Sequence, residues 1–443
     1  MFFKRITKTI KPGLYHKRGE KGKHMGFRIH LRVEEDGEGL LIINASTILH
    51  LNKTATELAK YIIDGKDEKV AIKEICSRYR VNKNKVKRDY EELKKKIFEF
   101  ATAEKIKPEI FIGVDRVDNF DKPLSAPYRV DAVLTYRCNN KCPHCYVGRK
   151  NSFPEMDTKK WQQIIKKLWN IGIPHITFTG GEPTLRKDLP ELVGYAEEMG
   201  LVTGVITNGR LLSKQLVNEL VSAGLDHIQI TLESYNKETH NKMVGTDGWE
   251  ETVEGIKNCL DSPLYVLTNT TITTDNCEEI ENHIDFLKSI GVKKFAYNSL
   301  IYSGRGLDVG TGIDEEDIGT YVRRIKKRAD ELGMDFIWYT PTHYCIFDPL
   351  LEGVGLKQCS AAKYNVAIEP NGDVIPCQSY FERMGNILTD PWEKIWNSDI
   401  ALYIRERKYI HEKCKVCPDL YICGDGCPLY NHAREKPVLC VVK

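Results

Sequence analysis

The 443-residue sequence predicts an α/β protein: a partial (β/α)6 barrel of the TIM type, with a winged-helix-like α+β domain in front and a cysteine-rich domain behind. Three observations predict it. From Tyr128 to Leu300, strand-like apolar runs alternate with helical stretches through six units. Ahead of them, residues 26–104 read as three short strands followed by three helices. Beyond about residue 340 the alternation stops and cysteines accumulate.

The front domain opens with FRIHLRVEEDGEGLLIIN, two apolar-rich runs around an Asp-Gly turn, which is a hairpin signal. STILHL adds a third strand. NKTATELAKYIIDGK then places Leu58, Tyr61 and Ile62 on one helical face, and KDEKVAIKEICSRY and NKNKVKRDYEELKKKIFEFA read as two more helices. Residues 1–25 are expected to be a tail. Residues 105–127, with Pro108, Pro123 and Pro127 and no periodicity, are expected to be a linker.

The barrel is expected over 128–340. Its strands are RVDAVLTY, HITFTG, VTGVIT, HIQITL, YVLTNTTIT and KKFAYNSL, with helices between them. Such alternation implies parallel strands with right-handed crossovers, and chemistry at the carboxyl ends of the strands. Residues 341–443 form the last domain, whose stability is expected to rest partly on metal.

A net charge of +3, with both signs mixed along the chain, does not point to nucleic acid or to a membrane surface. The N-terminal apolar stretch is too short for a signal peptide, and no run of about 18 apolar residues occurs, so a cytoplasmic protein is expected. In a reducing compartment, fourteen cysteines suggest metal binding rather than disulfides. Cys76, Cys259 and Cys277 stand alone and read as small apolar residues.

Cys138, Cys142 and Cys145 follow the first strand as C-x3-C-x2-C. Three thiolates at this spacing suit a [4Fe–4S] cluster with one iron left open. A structural zinc site is the alternative, and would need a fourth Cys or His close by. The second strand ends in TFTGGEPTL, whose Gly180 and Gly181 let backbone approach a ligand and whose Glu182 offers an acceptor for an ammonium group. The third ends in VITNGRLL and the fourth in ITLES, placing Asn208 and Glu233 on the same rim.

C-x3-C-x2-C after strand one with GGEP after strand two resembles the radical S-adenosylmethionine (SAM) superfamily. The resemblance implies that Cys138, Cys142 and Cys145 hold a [4Fe–4S] cluster whose open iron is chelated by the methionine end of SAM. It places His144 near the adenine, and Gly180, Gly181 and Glu182 at the methionine amine. Asn208 and Glu233 fall at the ribose end, where many relatives carry Asp instead of Glu. The implied chemistry is reductive cleavage of SAM to methionine and a 5′-deoxyadenosyl radical that abstracts hydrogen. No substrate-side acid or base is assigned.

The tail reads Cys359, then Cys377, then Cys414-x2-Cys417-x5-Cys423-x3-Cys427, then Cys440. This resembles the SPASM extension, which carries two auxiliary [4Fe–4S] clusters. The resemblance gives Cys414, Cys417, Cys423 and Cys440 to the distal cluster, and Cys359, Cys377 and Cys427 to the proximal one. Cys345 is the upstream candidate for the fourth proximal ligand; if it stays a free thiol, that iron is open to substrate. Sulfatase-maturing members carry Asp, used as a base, immediately after the cysteine matched by Cys377. Here Gln378 stands there, which argues against formylglycine formation.

The front domain is similar to the peptide-chaperone (PqqD-like) domain of the pyrroloquinoline quinone pathway, a recognition element for leader peptides. The likeness is carried by LNKTATELAKYIIDG and VKRDYEELKKKI. The whole chain therefore resembles a maturase that oxidatively modifies a ribosomally made peptide or protein, forming a thioether, a carbon–carbon crosslink or a similar product. The partners this implies are a precursor peptide and an electron donor such as ferredoxin or flavodoxin. IYSGRG, IWYTPTHYC and EPNGDVIPCQSY are also similar to maturases that accompany tungsten-cofactor oxidoreductases, which makes a partner metalloenzyme or its cofactor the alternative target.

Overall fold

The computed structural model describes residues 10–19, 27–44, 47–102, 124–148 and 152–433. The chain divides into two compact units. One is built on residues 1–126 together with 165–175 and 199–202, and the other on the remainder. Among the described residues, no helix is long and apolar enough to cross a membrane.

The first unit carries a four-stranded antiparallel sheet in the order β1 (Gly13–Arg18), β2 (Arg28–Val33), β3 (Gly39–Ile43), β4 (Thr47–Leu51). The β2–β3 hairpin is closed by Gly37 N–H donating to Glu34 O at 2.9 Å, with Gly37 at φ +85°. Three helices follow: α1 (Lys53–Ile63), α2 (Glu68–Arg78) and α3 (Lys83–Thr102). Asn52 caps α1 by accepting from Ala55 N–H, and Asp67 caps α2 by accepting from Lys69 N–H. Ile29, Leu31, Leu41 and Ile43 from the sheet form one core with Leu58, Ile62, Ile72, Ile75, Tyr90 and Ile97 from the helices. One boundary is corrected. Residues 13–18, expected within the N-terminal tail, form strand β1 against β2. Ladder hydrogen bonds make that strand, and GLYHKR has too few apolar residues for a period-2 signal. The expected linker lies almost wholly outside the described residues, as does Cys440.

The second unit is organised on one ten-stranded sheet. Its successive elements are β5 (Arg129–Thr135), α4 (Thr158–Ile171), β6 (His175–Gly180), α5 (Leu189–Met199), β7 (Val202–Thr207), α6 (Lys214–Ala223) and β8 (His227–Thr231). Then come α7 (Lys237–Val244), α8 (Trp249–Leu260), β9 (Tyr265–Ile272), α9 (Ile280–Ser289), β10 (Lys294–Ser299), α10 (Glu315–Leu332) and β11 (Asp335–Trp338). β5 to β11 lie side by side in chain order, the alternation expected of a partial TIM barrel. β11 adds a seventh strand, parallel to β10, to the six expected.

The cysteine-rich region does not leave this sheet. β12 (Asn365–Ile368) pairs in parallel with β5, and β13 (Asp373–Ile375) and β14 (Gly385–Asn386) continue it antiparallel. Strands of four, three and two residues are too short to show a period in the sequence. Beyond them lie α11 (Trp392–Trp396), α12 (Asp399–Arg405), α13 (Leu420–Cys423) and α14 (Pro428–Ala433).

Candidate radical SAM site and auxiliary cysteines

The rim is made by the carboxyl ends of β5 to β8. Gly181 N–H donates to Thr135 O at 2.8 Å and Glu182 N–H to Arg137 O at 2.9 Å, so the chain leaving β6 lies directly on the chain leaving β5. A Cβ on Gly180 would stand 2.2 Å from Thr135 O, and one on Gly181 2.4 Å from Arg137 O. Both glycines are therefore required by close backbone approach, in addition to any ligand contact.

Glu182 is fully buried, and its carboxylate is taken up by its own neighbourhood. Oε1 accepts from Thr184 N–H at 3.0 Å, Thr184 Oγ1 at 2.5 Å and Thr207 Oγ1 at 2.7 Å, and Oε2 accepts from Asn208 N–H at 2.8 Å. Burial raises its pKa, and these donors pull the other way. Gly180 and Gly181 line the cavity below, whereas Glu182 ties the ends of β6 and β7 together behind it.

The Cys138–Cys145 loop sits over these ends. Asn208 Nδ2 donates to Asn139 Oδ1 at 2.7 Å, and Arg210 Nη1 donates to Asn139 O at 2.7 Å and Asn140 Oδ1 at 3.0 Å. Lys141 N–H donates to Val244 O at 2.9 Å, at the end of α7. His144 Nε2 lies 3.1 Å from Glu233 Oε1, and Glu233 Oε2 accepts from Thr271 N–H at 2.7 Å. The structure thus brings Cys138, Cys142, Cys145, His144, Gly180, Gly181, Asn208 and Glu233 around one cavity of about 960 Å³.

The same cavity is lined by Cys359, Cys377 and Cys427. Burial pushes all three thiols up, Cys377 to about 12; neighbouring sulfurs add to the effect at Cys359 and Cys377, and Glu315 adds to it at Cys427. In the first trio, burial takes Cys138 to about 11 and raises Cys142 well above the usual thiol range, with Cys145, Glu233 and Cys138 adding repulsion at Cys142. Thiols raised in this way, Cys138 and Cys142 in one trio and Cys359, Cys377 and Cys427 in the other, ionise together only around a cationic core, which is the donor chemistry an iron–sulfur cluster needs. Residues and group fit.

Cys414, Cys417 and Cys423 lie apart from this lining. Cys417 N–H donates to Cys414 O at 3.0 Å, and Cys414 Sγ approaches Asp425 Oδ1 at 3.3 Å. Cys345 is disulfide-bonded, and its neighbour Tyr344 donates N–H to Cys423 Sγ at 3.4 Å, so the chain at Cys345 runs beside a cysteine of the distal set.

Several residues around the site carry no motif. Gln229, Thr231, Asn269, Thr271 and Asn298 face the cavity from β8, β9 and β10. Polar residues two apart in otherwise apolar strands are the signal that would have found the first four. Glu315 also lines the cavity; its Oε2 lies 2.6 Å from His343 Nδ1, and His343 Nε2 lies 3.2 Å from Asp425 Oδ1. Burial opposes charge on His343, yet the hydrogen bonds and charges of Asp425 and Glu315 outweigh it and bring the pKa to about 9. These three are far apart in sequence, so no spacing announces them.

Two family models match. Residues 132–287 match the radical SAM superfamily, and residues 359–418 match the SPASM iron–sulfur cluster-binding domain. The Fe-coproporphyrin III synthase of Methanosarcina barkeri is 36% identical over 323 residues, covering 66% of this chain and 80% of that protein. The PqqA peptide cyclase of Xanthomonas euvesicatoria is 27% identical over 316 residues, covering 68% of this chain and 82% of that one. Among solved structures, Streptococcus suis SuiB bound to its precursor peptide SuiA superposes with a TM-score of 0.69 at 17% identity, over 92% of this chain and 96% of SuiB, a likeness of fold.

Fold, rim and sulfur placement define an iron–sulfur enzyme with its chemistry at the strand ends. The chain belongs to the radical SAM superfamily and carries a SPASM domain. Its cofactors are SAM and [4Fe–4S] clusters, and the chemistry they supply is reductive SAM cleavage followed by hydrogen abstraction.

Proposed function

We propose that the protein is a maturase that uses this chemistry to oxidise a peptide or protein substrate. Cys138, Cys142 and Cys145 hold the SAM-binding cluster. Cys359, Cys377 and Cys427 hold irons of a proximal auxiliary cluster; Cys345, disulfide-bonded here, can serve as its fourth ligand only once that disulfide is reduced. Cys414, Cys417, Cys423 and Cys440 hold the distal cluster. One observation carries the reading: both cavity-facing trios line the same cavity of about 960 Å³. A substrate residue held there sits between a hydrogen-abstracting end and an electron-accepting end, which is the arrangement a net two-electron oxidation requires. Gly180 and Gly181 offer backbone to the methionine end of SAM, and His144, Asn208 and Glu233 stand where its nucleoside end would lie.

The first unit supplies substrate recognition. β1 occupies one edge of its sheet, leaving β4 as the other edge, and an extended leader peptide can add there as a further strand. Tethering the leader raises the local concentration of the core peptide at the cavity. A low-potential donor such as ferredoxin or flavodoxin, in a reducing cytoplasm, supplies the electron.

A second reading has its own support. The relative at 36% identity is named for an iron tetrapyrrole rather than a peptide, which favours a metal cofactor or its partner oxidoreductase as the target. The experiment is to incubate reduced protein and SAM with a short precursor peptide encoded beside its gene, and to follow peptide mass and 5′-deoxyadenosine together. A loss of two hydrogens matched to 5′-deoxyadenosine supports the peptide reading. An unmodified peptide, with turnover stimulated only by a partner oxidoreductase or its cofactor precursor, supports the second.

A further inference from the structure

The segment Ile301–Gly306, IYSGRG, follows β10, lines the cavity through Ile301, Tyr302 and Arg305, and bonds to the chain at both cysteine trios. Arg305 meets the Cys138–Cys145 loop twice: its N–H donates to Cys145 O at 2.9 Å, and its Nε donates to Cys142 O at 2.9 Å. The flanking glycines permit that approach. Gly304 has φ +57°, and a Cβ there would lie 2.5 Å from Tyr146 O and 2.8 Å from Gly148 N. A Cβ on Gly148 would in turn lie 2.6 Å from Gly304 Cα. On the other side, Ser303 is buried and its Oγ donates to Ser379 O at 2.7 Å, two residues after Cys377.

We propose that Ser303–Gly306 is a strap that holds the SAM-cluster loop and the proximal-cluster loop in fixed register, with Arg305 as the positioning residue. The inference rests on the ligand assignment proposed above. Two hydrogen bonds to the carbonyls of Cys142 and Cys145 fix the backbone that aims two of the three thiolates. The bond from Nε is charge-assisted and therefore stronger than a neutral one. Lysine can restore the charge but not the fixed Nε–H that reaches Cys142 O, while the backbone N–H bond to Cys145 O is kept by either substitution. The Ser303–Ser379 bond passes the same constraint to the chain beside Cys377.

The test uses the full-length protein, reconstituted anaerobically, as parent, R305Q, R305K and S303A. Two quantities are read: the rate of iron release to a ferrous chelator, and the electron paramagnetic resonance line shape of the reduced cluster that responds to added SAM. R305Q is expected to load the same iron as the parent, to release the iron of the SAM-responsive cluster roughly three- to tenfold faster, the effect of one lost hydrogen bond, and to change that cluster's line shape. R305K is expected to fall between R305Q and the parent. S303A is expected to alter the SAM-responsive line shape although it touches no residue of that loop. Parent-like release and line shape in R305Q, or equal loss of iron from all clusters in R305Q and R305K, overturns the strap. A parent protein with no SAM-responsive signal contradicts the ligand assignment itself, and the strap falls with it.

Discussion

His144 Nε2 lies 3.1 Å from Glu233 Oε1, joining the end of the Cys138–Cys145 loop to the chain leaving β8. The second oxygen of the same carboxylate accepts from Thr271 N–H on β9, and His240 Nδ1 accepts from the backbone N–H of Glu233. Glu233 is thus held on three sides at the cavity wall. Replacing it with Ala frees His144 and removes the acceptor together. SAM affinity is expected to fall roughly tenfold, about 1.4 kcal/mol, with iron content unchanged, as read by SAM titration of the reduced cluster signal. An unchanged SAM affinity would show that neither residue positions the ligand.

Glu182→Ala tests a different role. The substitution strands the buried donors of Thr184, Thr207 and Asn208, so a loss of folding stability on the order of 3 kcal/mol is expected. Glu182→Gln keeps an acceptor and is expected to lose less. Thermal unfolding of both variants measures this. Equal, small effects would mean that the carboxylate is not the tie between β6 and β7.

The proximal trio makes a counting prediction. Cys359→Ala, Cys377→Ala and Cys427→Ala should each lower iron from about twelve to about eight per chain while the SAM-responsive signal remains. Cys259→Ala, at a buried thiol without sulfur neighbours among its perturbing groups, should leave the iron count unchanged. Loss of the SAM-responsive signal in the first three would merge the two trios into one site.

Three histidines of the second unit contribute to the response to acid, opposed by His343, whose raised pKa favours the folded chain as the pH falls. Burial lowers His227 and His240 to about 4 and His283 to about 3, against 6.5 for the exposed ring. Depressed values mean that the unfolded chain takes up protons first. The stability they contribute is complete above pH 6.5 and is lost as the pH falls toward 4. With three protons the slope approaches about 4 kcal/mol per pH unit at most. Thermal unfolding of the loaded protein from pH 7.5 to 5.5 should show the decline, and His283→Gln should flatten it by about a third. A flat profile would mean that these rings are already solvated.

Much of this was legible in the sequence because it is periodic or clustered. The alternation from Tyr128 to Leu300 gave the strand order, and C-x3-C-x2-C with GGEP gave the rim, since both signals are local. What stayed hidden depends on distance in space. β1 is made by ladder hydrogen bonds rather than by apolar period. β12 joins β5 across more than two hundred residues. The four hydrogen bonds that the Glu182 carboxylate accepts, two from backbone N–H groups and two from threonine hydroxyls, leave no trace in the sequence. The Glu315–His343–Asp425 chain has no spacing to read at all.

The most direct measurement is anaerobic. The reconstituted protein is analysed for iron and sulfide, reduced, mixed with SAM and assayed for 5′-deoxyadenosine. Three clusters and a live radical site predict about twelve irons per chain with 5′-deoxyadenosine formed in proportion to enzyme. About four irons, or full clusters that form no 5′-deoxyadenosine even with the precursor peptide and the partner oxidoreductase added, would contradict it.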